Sequence, residues 1–131
     1  MKRLLGLGCL SAVLLGCAAP QNPSCNLSSV FAVGPTSATA DHSATPPGNQ
    51  AQFQATVSPY SSVPGCPVPQ YILLLQPTWS LSDPLDAQIS SAPGTNGLAT
   101  CMNAAANPIT VTATYTSNGT TQTKTATLTC K

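Results

Sequence analysis

Residues Ile109 to Cys130 read ITVTATYTSNGTTQTKTATLTC, and this stretch decides the fold. Ile109, Val111, Ala113 and Tyr115 alternate with Thr110, Thr112, Thr114 and Thr116. Successive side chains of a strand point to opposite faces, so the alternation predicts one apolar and one wet face. Asn118-Gly119 follows, a dipeptide that tolerates the positive φ of a type I′ turn. Beyond it, Ala126, Leu128 and Cys130 alternate with Thr125, Thr127 and Thr129. The whole stretch predicts a hairpin with one buried face.

Towards the N-terminus the same pattern recurs between turn signals. Leu98 to Met102 is a candidate strand, preceded by the turn residues Pro93-Gly94-Thr95-Asn96-Gly97. Ala87 and Ile89 suggest a short strand, separated by Asp83-Pro84 from one in which Trp79 and Leu81 share a face. Tyr71-Ile72-Leu73-Leu74-Leu75 is a continuous apolar run ending before Pro77. Residues 59–70 carry Pro59, Pro64, Pro67 and Pro69 with Cys66, and read as a long loop. Ala51, Phe53, Ala55 and Val57 face one way, and Gln52, Gln54, Thr56 and Ser58 the other. A turn at 43–49 separates them from a first strand through Val30 to Val33, interrupted at Gly34-Pro35 and resumed to Ala40. About seven antiparallel strands, spaced by roughly ten residues, predict an all-β sandwich.

Composition agrees. The 13 Pro and 9 Gly punctuate a chain rich in Thr and Val, and with 42% hydrophobic residues it can fill a core despite only 5% charged ones. There is no Glu. Beyond residue 16 the charged side chains are Lys124 and Lys131 against Asp41, Asp83 and Asp86. No basic patch exists to neutralise phosphates, which argues against a nucleic-acid partner.

The N-terminus divides as an export signal does. Lys2 and Arg3 precede an apolar stretch from Leu4 to Leu15, shorter than the roughly 20 residues that span a bilayer and suited to a signal peptide. It ends in Leu14-Leu15-Gly16-Cys17, which resembles the lipobox of bacterial lipoprotein precursors. The resemblance implies diacylglyceryl transfer to the Cys17 thiol, cleavage after Gly16, and a membrane anchor of acyl (palmitate-type) chains. Ala18 stands where a retention signal would place Asp, so the resemblance implies the outer membrane rather than the inner. The expected divisions are a signal peptide at 1–16, the lipidated cysteine and a tether at 17–29, and the domain at 30–131. Cys9 leaves with the signal and Cys17 is lipidated. Cys25, Cys66, Cys101 and Cys130 remain, and an even number in an exported chain predicts two disulfides with three connectivities open.

Several pieces in order resemble bacterial Ig-like domains of envelope lipoproteins and adhesins. They are Pro47-Gly48-Asn49 before Gln50-Ala51-Gln52-Phe53, then Trp79-Ser80-Leu81-Ser82-Asp83-Pro84 and Gly97-Leu98-Ala99-Thr100-Cys101, and finally Ile109 to Thr114 and Ala126 to Cys130. Phe53 and Ala55 on the second strand and Ala113 on the sixth stand where antibody-type domains carry their inter-sheet cysteines, so packing around Trp79 must replace that bridge. The resemblance places the second-to-third strand loop beside the fourth-to-fifth strand turn, which implies Cys66–Cys101 and, by exclusion, Cys25–Cys130.

Few residues could carry chemistry. His42 is the only histidine, and its neighbour Asp41 would point to the opposite face of a strand, so the two make a poor base and orienting acid. Asp83 and Asp86 are too few for a calcium site, and Asp83 is expected to cap the turn before Pro84. The cysteine spacings match no zinc pattern. No catalytic residue, metal or cofactor is assigned. Asn26-Leu27-Ser28 and Asn118-Gly119-Thr120 match a glycosylation pattern but are read as tether and turn. In the apolar run, Ile72 and Leu74 would point outward if Leu73 and Leu75 share the Trp79 face. Tyr71, Ile72 and Leu74 are therefore candidate contact residues, although the 59–70 loop, tied down through Cys66, is expected to cover them. The expected function is a non-catalytic envelope lipoprotein whose domain gives protein–protein contact or structural support. Loops 59–70, 93–97 and 117–121 would form its contact end. The competing expectation is a polysaccharide-binding or adhesive module using Tyr60 and Tyr71.

Overall fold

The computed structural model describes residues 24–131, so the expected signal peptide, Cys17 and the first part of the tether lie outside the described residues. Every alternating run becomes a strand, and no helix occurs among the described residues. The strands are β1 (Leu27–Gly34), β2 (Ser37–Ala40), β3 (Gln50–Gln52), β4 (Gln54–Ser61), β5 (Leu73–Leu75), β6 (Thr78–Leu81), β7 (Ala87–Ile89), β8 (Leu98–Cys101), β9 (Ile109–Ser117) and β10 (Thr120–Cys130). They form three sheets, ordered β1-β4-β5, β2-β10-β9-β6 and β3-β8-β7. The expected run from Val30 begins three residues earlier, at Leu27, and pairs with Ser61 of β4.

Ten strands stand where alternation predicts about seven, because three runs are each divided. Pro35 has no N–H to donate and separates β1 from β2, which lie in different sheets. At Phe53 the N–H leaves the ladder and donates to the Gly97 carbonyl at 2.9 Å, dividing β3 from β4. Gln76-Pro77 divides β5 from β6 in the same way as Pro35. The pairings are antiparallel except for β2, which runs parallel to β10 with Ser37 opposite Thr127.

Inward residues of all three sheets meet in one core, an arrangement consistent with a β-sandwich. Ile109, Val111 and Ala113 of β9 and Ala126, Leu128 and Cys130 of β10 are buried, as their alternation predicts. So are Ala51, Phe53 and Ala55, together with Phe31 and Val33 of β1. The β9–β10 turn has Asn118 at φ 49° and Gly119 at φ 75°, the positive pair a type I′ hairpin requires.

Trp79 is the centre of this core. Its ring lies 6.4 Å from that of Phe53, and its indole N–H donates to Asn96 Oδ1 at 2.8 Å. The Asn96 amide nitrogen in turn donates to the carbonyls of Pro77 and Ser91, both at 3.1 Å. Asn96 thus satisfies the one polar atom of a buried indole and ties the 93–97 turn to β6. Next to it, Gly97 has φ +80°, and a Cβ there would collide with the Phe53 carbonyl. Only glycine fits this approach.

Both disulfides differ from the pairing the resemblance implied: they are Cys25–Cys66 and Cys101–Cys130, with Cα separations of 5.7 and 5.5 Å. β8 runs away from the 93–97 turn, so Cys101 lies at the far end of its strand and not beside the 59–70 loop. Cys101 shares the inward face of Ala99, and Cys130 that of Leu128, so the two meet inside the core where the sheets face each other. Cys25 precedes β1 and Cys66 follows β4. Because those strands are antiparallel neighbours, their outer ends meet.

Non-reducing peptide mapping is expected to yield these two linked peptides. Replacing Cys101 and Cys130 together by Ala should cost about 4 kcal/mol by loop-closure entropy, read from denaturant unfolding. Recovery of a Cys66–Cys101 peptide from folded protein would contradict the pairing. Asn96→Ala leaves the indole N–H without a partner and should lower stability by about 2 kcal/mol in the same measurement.

Candidate functional site

Pairing between β1, β4 and β5 sets which side chains share a face. Phe31, Val57 and Leu73 form one row, and Val33, Ala55 and Leu75 the next, both on the inward face. Ala32, Thr56 and Leu74 form a row on the outward face. The expected parity of Leu73 and Leu75 is therefore right, and Leu74 points outward.

The covering loop is not as expected. Tyr71, Ile72, Leu73 and Leu74 are 50, 71, 52 and 68% exposed. Cys66 is held by Cys25 at the end of β1, and the 62–70 segment leaves the apolar run open. Leu73 is exposed even though it lies on the inward face, because the facing sheet does not extend beneath it. Phe31 is the last residue of β1 sealed at that end, against Tyr115 with ring centroids 6.1 Å apart. Beyond it, Leu27, Ser29, Val57, Pro59, Tyr71 and Leu73 line an open cavity of about 300 Å³.

The end of this sheet is thus apolar on both faces. Leu27, Tyr71 and Leu73 lie on the inward side, and Val30, Tyr60, Ile72 and Leu74 on or next to the outward side. Of these, sequence reasoning singled out Tyr71, Ile72 and Leu74 as contacts and weighed Tyr60 only for sugar stacking. In the sequence Leu27 falls within the expected tether, and Val30 in an expected strand with no assigned faces. The available signal was the parity of β1, in which Leu27 and Phe31 are even-spaced.

The three expected contact loops do not form one end. Loop 59–70 and the 117–121 hairpin tip lie towards the Cys25–Cys66 bridge. The 93–97 turn is bonded to Phe53, seven residues before Tyr60 along the same run, or roughly 23 Å at strand spacing.

Three titratable side chains, His42, Asp41 and Asp83, are engaged in local bonds elsewhere. His42 Nδ1 and the Lys131 carbonyl are 2.9 Å apart. Asp41 Oδ1 accepts from the hydroxyl and the backbone N–H of Ser43 at 2.7 and 3.0 Å, and these bonds hold its carboxyl below the usual carboxylate range. Asp41 therefore orients Ser43 and not His42. Asp83 Oδ1 accepts the N–H groups of Leu85 and Asp86 at 3.0 and 3.3 Å, the turn cap expected of it. Among the described residues no three His, Cys, Asp or Glu side chains gather as metal ligands do. No described helix is long and apolar enough to cross a membrane.

No family model matches the chain, and comparison with curated protein sequences gives no match.

Because Ile72 and Leu74 contribute little to the core, replacing both by Asp should change stability by less than about 0.5 kcal/mol. An unfolding midpoint that falls steeply would show that the run is buried in solution and is no docking surface.

Proposed function

We propose that the chain is the precursor of a non-catalytic cell-envelope lipoprotein, anchored through acyl chains on Cys17, whose domain is Ig-like and serves protein–protein contact or structural support. The observation that carries this reading is the pairing of an export signal ending in Leu14-Leu15-Gly16-Cys17 with a disulfide-bridged all-β domain. Two disulfides suit an oxidising compartment outside the cytoplasm. The Ig-like reading is supported by sheet order. The strand opening the second sheet, β2, lies parallel to the last strand, β10, and β9 and β6 follow it. The three-stranded partner β3-β8-β7 carries the second and fifth alternating runs side by side.

A non-catalytic role is supported by how Asp41, Asp83 and the single histidine are used, each bonded to backbone in turns or at a strand end. The polysaccharide-binding alternative has less support. Tyr60 and Tyr71 are both exposed, but Tyr71 lines the inward cavity and Tyr60 lies on the other face, so they make no shared platform for a sugar.

The N-terminal peptide of protein isolated from its own envelope should begin at Cys17 and carry the mass of two or three acyl chains. Cys17→Ser should leave that mass absent and move the chain to the soluble fraction or stall it uncut. An unmodified Cys17 in native protein would overturn the anchor.

A further inference from the structure

The carboxylates and the largest cluster of exposed apolar residues lie at opposite ends of this domain. Asp41, His42 and Lys131 meet where β2 and β10 finish, and the His42 N–H donates to the Lys131 carbonyl at 3.0 Å. Asp86 lies at the same end, its carbonyl accepting the N–H of Met102 next to the Cys101–Cys130 bridge. Asp83 follows Ser82, whose N–H donates to the Thr110 carbonyl near the start of β9. All three carboxylates of the described residues therefore flank the Cys101–Cys130 end. Among the described residues, seven of the nine exposed large apolar side chains flank the Cys25–Cys66 end, and the other two, Leu85 and Met102, lie at the carboxylate end. On β10 the two levels are marked by Cys130 and by Gln122, the partner of Tyr115. Eight residues of strand separate them, roughly 27 Å, or about three Debye lengths at physiological salt. Lys124 is the one charged residue between, among the described residues.

The apolar end is also the end where the chain enters. Seven residues separate Cys17 from Cys25, and the eight steps between the two cysteines reach no more than about 29 Å at full extension. None of the residues between them is charged. A lipid on Cys17 would therefore hold this end, and not the carboxylate end, next to the bilayer. A protein partner would need to cover one face, whereas here both faces of a narrow sheet end are apolar. A bilayer's headgroup region can wet both faces at once, and Tyr side chains favour that depth.

We propose that the Cys25–Cys66 end of the domain seats in the lipid surface, with Ile72, Leu73 and Leu74 entering the headgroup–acyl boundary and Tyr60 and Tyr71 flanking them. This rests on the Cys17 anchor reading. The anchor supplies proximity, and the apolar end fixes orientation, so the domain stands with its carboxylates away from the membrane. The β5 edge, with its unpaired backbone groups, lies at the headgroup level where water and polar headgroups still satisfy them.

The test uses the full lipidated protein in phosphatidylcholine vesicles, with Ile72→Trp or Gln88→Trp as reporters and Trp79 as the buried reference. Gln88 is exposed on β7, away from the apolar end. With acyl chains brominated near the headgroup, Ile72→Trp emission should fall by about half, since a seated apolar face lies some 5–10 Å into that boundary. Gln88→Trp emission should not change. An acylated protein in which Ile72→Trp is unquenched, or in which both reporters are quenched alike, overturns the seating and leaves the anchor standing. A native N-terminal mass without acyl chains overturns both. In the intact envelope, a photo-crosslinking residue at position 72 should label lipid. A discrete protein adduct instead would assign this end to a protein partner and overturn the proposal.

Discussion

The fold depends on one close approach between backbone segments. The Phe53 N–H donates to the Gly97 carbonyl, and the Gly97 Cα lies so near the Phe53 carbonyl that no side chain fits between them. That contact divides one long run into β3 and β4, which lets its first half pair with β8 and its second half with β1 and β5. Trp79 closes over the junction, and Asn96 satisfies the indole N–H that would otherwise be buried alone. In a core where seven of the sixteen buried residues are Ala, a displaced indole would leave the two halves of the run without a common floor.

Period-two alternation made the strands legible. Thr at every second position of β9 and β10 left little choice of face, and Asn118-Gly119 fixed the register between them. Divided runs were less legible. Proline marks two of the three breaks in plain view, but the third depends on a hydrogen bond from Phe53 to a residue 44 positions away, which no local pattern announces. The parallel pairing of β2 with β10 was hidden for the same reason, since it follows from the sheet change at Pro35.

Cysteine pairing shows a different limit. The alternation that buried Ala99, Cys101, Leu128 and Cys130 already placed both cysteines on inward faces, yet the pairing followed loop placement taken from a fold resemblance. Side-chain direction was the better guide, because a bridge needs two inward-pointing partners as well as two nearby loops. The candidate contact residues were partly legible. Outward parity holds for Leu74, and Ile72 and Leu74 are both exposed. The exposure of Leu73 could not be read from parity, because it depends on how far the opposite sheet extends.

That difference in extent gives the molecule its two unlike ends. Where the sheets cover each other, Cys101 and Cys130 are sealed and the three aspartates gather in turns around them. Where β1 and β4 run past the last sealed pair, Phe31 and Tyr115, the facing sheet offers no further apolar side chain and the same alternation yields exposed leucine and tyrosine. Apolar side chains on the facing sheet beyond this pair would cover Leu27 and add to stability at roughly 25 cal/mol per Å² of apolar surface removed from water. Past Tyr115 the inward face of β9 and β10 continues with Ser117 and Thr120, while the Thr116 and Thr121 hydroxyls pair with each other at 2.9 Å on the outward face. Polar threonine on one sheet opposite exposed apolar residues on the other leaves the end open, and it does so next to the segment that leads back to Cys17.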